Sequence, residues 1–276
     1  MTRLLTLLAV LACAPGALAQ ADRAEVPPVA SGGGVEAGGM LVDGWAEALP
    51  ERERTPDDAP AFYVVRDGVA LLDQPGGQAR QRLRLRTGLR VLETRDGWSR
   101  VRVGAETGWV PSDALSNLWI RIDKSERTTY VYRGGELWRE LPADVSANPE
   151  GDKVRRAGRT ESEEHKIPEG TFYVTRRFAE SDYYLAFVLS YPTPRHALQG
   201  LESGLISQGQ YEAIVAAHRT YREPPQGTRL GGLIEIHGHG TGRRRAWTRG
   251  CVALRNVHMD DLWEVVHVGT PVVIEP

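Results

Sequence analysis

The sequence predicts a mainly β protein with minor α content, in which a small barrel precedes a larger β domain. Two observations carry that prediction. From about residue 61 onward, short runs rich in Val, Leu, Tyr and Trp alternate with Gly-containing turns, a spacing too tight for helices. Helical periodicity, by contrast, is confined to two late segments, 207–220 and 257–266. Composition agrees: 276 residues with 41 % apolar and 25 % charged content are ordinary for a soluble chain of one or two domains. A net charge of −2 argues against nucleic acid as a general partner.

Residues 1–20 read as a signal peptide. Met1-Thr2-Arg3 is a short positive segment, an apolar run follows, and Ala17-Leu18-Ala19 supplies small residues before a cut at Gln20. Export across the inner membrane to the periplasm or cell envelope is therefore expected. Val10-Leu11-Ala12-Cys13 also resembles a lipobox, in which Cys13 would carry a lipid anchor. On either reading Cys13 is no thiol in the mature chain. Cys251 then stands alone, and no intramolecular disulfide is available.

Residues 21–59 form an expected flexible linker, with Ser31-Gly32-Gly33-Gly34 and a charged run from Glu51 to Asp58. Residues 60–116 carry the short strands, among them Tyr63-Val64-Val65, Val69-Ala70-Leu71-Leu72 and Ser99-Arg100-Val101-Arg102-Val103. Gly97-Trp98-Ser99-Arg100-Val101 followed by Gly108-Trp109-Val110 resembles the end of a bacterial SH3-like domain. Such a module implies either contact with wall polymers or a spacer role. Arg80, Arg82, Arg84 and Arg86 alternate with Gln81, Leu83 and Leu85, which places four guanidinium groups on one strand face. That face is either an anion-binding stripe or a solvated edge.

The second domain, 117–276, opens with the alternating runs Trp119-Ile120-Arg121-Ile122 and Thr128-Thr129-Tyr130-Val131-Tyr132. Strand character is expected again at 151–154, 167–174, 182–191 and 233–237. Ser207 caps the first helix and Asn256 the second, and a strand closes the chain after Gly269-Thr270-Pro271.

The chemistry concentrates between His237 and Cys251. A thiol with an ordinary pKa near 8.5 is only a few per cent ionised at neutral pH, so it needs a base to act as a nucleophile. His237 ends an apolar strand fourteen residues upstream, and the Gly238 carbonyl can accept the second imidazole N–H and fix the tautomer. Gly250 permits a tight turn in which the N–H groups of Arg249 and Gly250 face an oxyanion. Other readings compete. Cys251 could be an inert core cysteine. His237 and His239, with Cys251 or His258, could bind zinc, although recognisable ligand spacing is missing. His239 is either an accessory residue or a solvated one. Arg243, Arg244 and Arg245 form either a basic lip for an anionic substrate or plain surface charge.

Several blocks in order resemble the L,D-transpeptidase catalytic domain of the YkuD type, a β-sandwich with a cysteine nucleophile. They are Asn148-Pro149-Glu150-Gly151-Asp152-Lys153, Ile167-Pro168-Glu169-Gly170, Ser190-Tyr191-Pro192, Ile236-His237-Gly238, Gly250-Cys251-Val252-Ala253-Leu254 and Gly269-Thr270-Pro271-Val272. The resemblance implies Cys251 as nucleophile, His237 as base, the Gly238 carbonyl as its orienter, and no cofactor. Many relatives read Ser-His-Gly-Cys with an arginine two positions later. Here Arg249 replaces the histidine, and Arg255, counted with His239 and Arg243 to Arg245 as substrate-binding, lies two positions beyond the family arginine. The implied reaction is acyl transfer on peptidoglycan stem peptides through a thioester. An amine of a second stem gives a 3-3 cross-link, a lysine of an outer-membrane lipoprotein gives an anchor, and water gives an L,D-carboxypeptidase or amidase. A zinc peptidase and a non-catalytic wall-binding protein stand outside this reading.

Overall fold

The structure, a computed structural model, describes residues 61–158 and 165–276, all within one unit, Gly39–Pro276. The expected signal, Cys13 and the linker lie outside the described residues. The chain is mainly β with minor α, as expected.

Seven short strands form the first sheet: β1 (Ala61–Val64), β2 (Val69–Leu72), β3 (Ala79–Leu83), β4 (Gly88–Arg95), β5 (Trp98–Val103), β6 (Glu106–Pro111) and β7 (Leu115–Ser116). They lie in the order β3-β2-β6-β5-β4-β1-β7. Val64, Leu71, Leu83, Val101 and Val110 alternate inward to make its small core. The arginine stripe is corrected here. Arg80 and Arg82 are exposed on β3, but that strand stops at Leu83, and Arg86 enters the left-handed region (φ 64°) and is buried. Its guanidinium lies 5.1 Å from the Tyr173 ring centroid and 5.0 Å from that of Tyr221. Strand alternation cannot foresee this, because one left-handed residue turns the side chain off the face.

The larger sheet is built from β8 (Leu118–Asp123), β9 (Thr128–Arg133), β10 (Glu136–Pro142), β12 (Gly170–Ser181), β13 (Tyr184–Leu189), β14 (Glu235–His237), β16 (Val252–Ala253) and β17 (Pro271–Glu275). Its order is β10-β9-β8-β17-β12-β13-β14-β16. A separate pair joins β11 (Val145–Ser146) to β15 (Ala246–Thr248). Ile120, Ile122, Phe172, Val174, Phe187, Leu189, Ile236 and Val252 pack into one core with Met259 and Leu262. The two sheets meet where Tyr63 donates to the Leu118 carbonyl (2.7 Å), beside the Arg86 contact.

Three α-helices occur among the described residues where two were expected: α1 (Pro194–Glu202), α2 (Gln208–Arg219) and α3 (Asn256–Trp263). The unforeseen α1 buries only His196, Ala197 and Gly200, too sparse an apolar face to register as periodicity. Its start was nevertheless written as Thr193-Pro194, a cap followed by proline in the first turn. Ser207 caps α2 through a capping box with Gln210. Asn256 is no cap: α3 begins with it, and its Oδ1 accepts the His239 amide instead (2.7 Å). Nor is 151–154 a strand. Asp152 accepts from the Glu169 amide and from Arg195 (both 2.8 Å), so polar side-chain bonds rather than a ladder hold that segment.

Candidate active site

The edge of the larger sheet sets the geometry. Strands β14 and β16 run parallel, with Ile236 opposite Val252 and His237 opposite Ala253. Ile236 and Val252 point into the core. Alternation therefore turns Glu235, His237 and the residue just before β16, Cys251, to the other face. The turn into Cys251 depends on Gly250, which has φ 124°. A Cβ there would sit 2.8 Å from the Lys166 carbonyl oxygen. Buried Thr248 closes the turn by donating to the Cys251 carbonyl (2.6 Å).

His237 is buried, and its Nδ1 lies 2.7 Å from the Gly238 carbonyl oxygen. A carbonyl only accepts, so Nδ1 carries the hydrogen and Nε2 keeps the lone pair. Tyr183 stacks on the ring at 4.5 Å, and Trp247 meets it edgewise at 6.1 Å. Burial pushes the imidazole below its ordinary pKa, with His239 adding to the effect and the Gly238 bond opposing it. Gly238 itself is packed so tightly that a Cβ would lie 2.6 Å from the Tyr183 carbonyl oxygen.

The thiol of Cys251 points at the Leu233 carbonyl (3.5 Å). Burial of the sulfur and the charge of Glu235 push it up to about 12, against the Glu235 amide and the Lys153 cation. Both shifts favour the neutral forms, thiol and imidazole, in the resting site. Leu233 is itself held in the left-handed region (φ 52°) by Gln226, whose Oε1 accepts the Leu233 amide (2.6 Å) and whose Nε2 donates to the Tyr191 carbonyl (3.1 Å).

Sequence reasoning missed Asp144. This buried carboxylate accepts four bonds of 2.8 Å, from the Thr241 amide and hydroxyl, the Arg245 amide and the Trp247 indole. Its backbone also bridges Ala253 in both directions. Burial pushes its pKa up, but the four donors outweigh that and leave it lowered. The signal was present as an acid inside the apolar run Leu141-Pro142-Ala143-Asp144-Val145.

The remaining residues spread around this loop. Arg243 is exposed, Arg244 donates to Thr128 (3.3 Å) and approaches Glu140 (3.9 Å), and Arg245 lends its amide to Asp144. The Arg255 stem packs under Gly242, where a Cβ would lie 2.7 Å from Cδ. Arg249 is exposed. His239 lies past the end of β14 in the left-handed region (φ 60°), so it does not share the strand face of His237. Among the described residues no three His, Cys, Asp or Glu side chains gather to hold a metal.

Comparison with known proteins places the chain in a family. The model of the L,D-transpeptidase catalytic domain, YkuD, matches residues 117–274, more than half of the chain. The chain belongs to that family. Among solved structures, the helical cell shape determining protein Pgp2 from Campylobacter jejuni is 23 % identical, covering 58 % of this chain and 48 % of that one, with a TM-score of 0.37. Bd1075 from Bdellovibrio bacteriovorus is 22 % identical over 59 % of this chain and 49 % of that one, TM-score 0.39. An L,D-transpeptidase from Mycobacterium smegmatis is 13 % identical over 65 % and 67 %, TM-score 0.35. The match thus spans about half the length of the first two. A search of curated proteins finds no match.

Proposed function

We propose that the chain is a peptidoglycan L,D-transpeptidase in which Cys251 is the nucleophile and His237 the base. The observation that carries the reading is the sheet edge: the parallel register sets Cys251 and His237 on one face, with Nδ1 committed to Gly238 and Nε2 left basic. Substrate displaces the thiol from Leu233, and its proton passes to His237 Nε2 as sulfur attacks the carbonyl on the L-centre of the third stem residue. Amide N–H groups of Arg249 and Gly250 stabilise the oxyanion. The C–N bond breaks, the imidazolium returns the proton to the departing amine, and a thioester remains. An amine acceptor then forms an amide and regenerates the thiol.

Water in place of the amine gives the hydrolytic version. The acceptor is otherwise a second stem or a lipoprotein lysine. Residues 1–20 as an export signal put the protein where its polymer lies, and the first sheet serves as an SH3-like module beside it. Intact-mass analysis with disaccharide tetrapeptide tests the chemistry. Wild type is expected to gain the acyl mass and lose it on adding amine, while Cys251→Ala gains nothing. An adduct on the alanine variant would refute the assignment, and the released product separates cross-linking from trimming.

A further inference from the structure

Two half-exposed rings separate the imidazole of His237 from water. His237 is 2 % exposed, although Tyr183, stacked on it at 4.5 Å, is 44 % exposed and Trp247, meeting it edgewise at 6.1 Å, is 40 % exposed. A ring with that much free surface has room to turn, so something must hold each one. Tyr183 is tied down through its neighbours: Ser181 Oγ accepts the Tyr183 amide (3.1 Å), and Tyr184 donates its hydroxyl to Asp260 on α3 (2.7 Å). Trp247 is held by its own indole N–H, which donates to Asp144 Oδ2 (2.8 Å). That carboxylate is a fixed post, because it is buried and three further donors, the Thr241 amide and hydroxyl and the Arg245 amide, lock its rotation. Through its backbone the same residue pairs with Ala253, which lies opposite His237 in the sheet. Asp144 therefore grips both the strand beside the imidazole and a ring packed against it.

We propose that Asp144 is a positioning residue for the base and acts through Trp247: the carboxylate fixes the indole, and indole and Tyr183 together hold the imidazole and keep water off it. The effect on rate rests on the acyl-transfer reading, whereas the hold on the ring stands apart from it. The Nδ1 bond to the Gly238 carbonyl anchors the imidazole at one point and leaves it free to tilt, a freedom that the flanking rings remove. A base displaced by a fraction of an ångström or a few degrees loses rate. Glu235 and His239 from its own segment, Tyr183 from the hairpin and Cys251 from the turn are the titratable groups around the imidazole, with Asp144 behind the indole and Ala186 and Ala253 opposite on β13 and β16. Water admitted by a loosened clamp raises the imidazole toward its ordinary pKa of about 6.5.

The test uses Trp247→Phe, which keeps a ring but removes the N–H, Asp144→Asn, and Thr241→Val, which takes one donor from the same carboxylate without touching the indole. Acylation by disaccharide tetrapeptide, followed by intact mass, is expected to slow about tenfold in the first two at unchanged half-saturation, with the acid limb of the rate profile moved to higher pH. Histidine-selective nitrogen NMR, assigned with His237→Gln, is expected to show the Nδ1–H form in wild type and a titration displaced upward in Trp247→Phe and Asp144→Asn. Thr241→Val is expected to lose melting temperature but to match wild type in rate and titration. If it instead follows Trp247→Phe in both, the role is merely structural and the proposal falls. A wild-type rate and an unmoved His237 titration in Trp247→Phe also overturn it, whether or not Asp144→Asn folds. A displaced titration with no thioester in wild type would leave the positioning in place and refute the acyl-transfer reading.

Discussion

At the scale of single residues, burial pushes the Cys251 thiol up and the His237 imidazole down, which favours the neutral form of both. Alkylation of the resting protein by iodoacetamide should therefore be slow at pH 7, and its logarithm should rise with unit slope through pH 9 without levelling. A plateau below pH 8 would mean that a resting thiolate–imidazolium pair exists. Gly250→Ala should abolish thioester formation, because its Cβ meets the Lys166 carbonyl oxygen and the left-handed turn resists a side chain. If that variant acylates at the wild-type rate, the turn is not what aims the sulfur.

At the scale of elements, Asp144 is the organiser of the loop from Thr241 to Trp247. Replacing it with Ala strands four donors at once and should cost about 3 kcal/mol or more, visible as a lowered denaturation midpoint. Asp144→Asn, nearly the same size, keeps the carbonyl oxygen but cannot serve all four donors. It should lose less stability and leave the loop more open to proteolysis. These particulars show what the sequence made legible. Strands β2, β5, β8 and β9 announced themselves through alternation and turns, and α2 through Ser207 and Gln210, because those signals are local. The 151–154 segment, Asp144 and Arg86 were illegible because their bonds join residues tens of positions apart. Helix α1 was missed for a different reason: it rests on three buried residues, so its cap was the stronger signal.

At the scale of the whole molecule, the chain carries a pH sensitivity away from the active site. His218 on α2 is buried, with its Nε2 3.0 Å from the Pro192 carbonyl oxygen, and burial above all, with Arg86 and His196 assisting, holds its pKa down to about 4. The unfolded chain takes up that proton near pH 6.5, so the stabilisation is whole above about 6.5 and is lost as pH falls to about 4. The loss is on the order of 3 kcal/mol, and denaturation midpoints from pH 7 to 4 should fall more gently for His218→Gln than for wild type. Identical slopes would remove His218 from the account. Arg86, Tyr173 and Tyr221 join the two sheets with a buried cation between aromatic faces, a contact of about 2 kcal/mol per ring when desolvated. That staple bears on dissection of the protein. A fragment beginning at residue 117 would shed the arginine and leave Tyr173 and Tyr221 facing water together with Thr270 and the Leu118 carbonyl. The larger sheet expressed by itself would then be sticky and prone to self-association, so the line at which the sequence changes character is a poor place to cut.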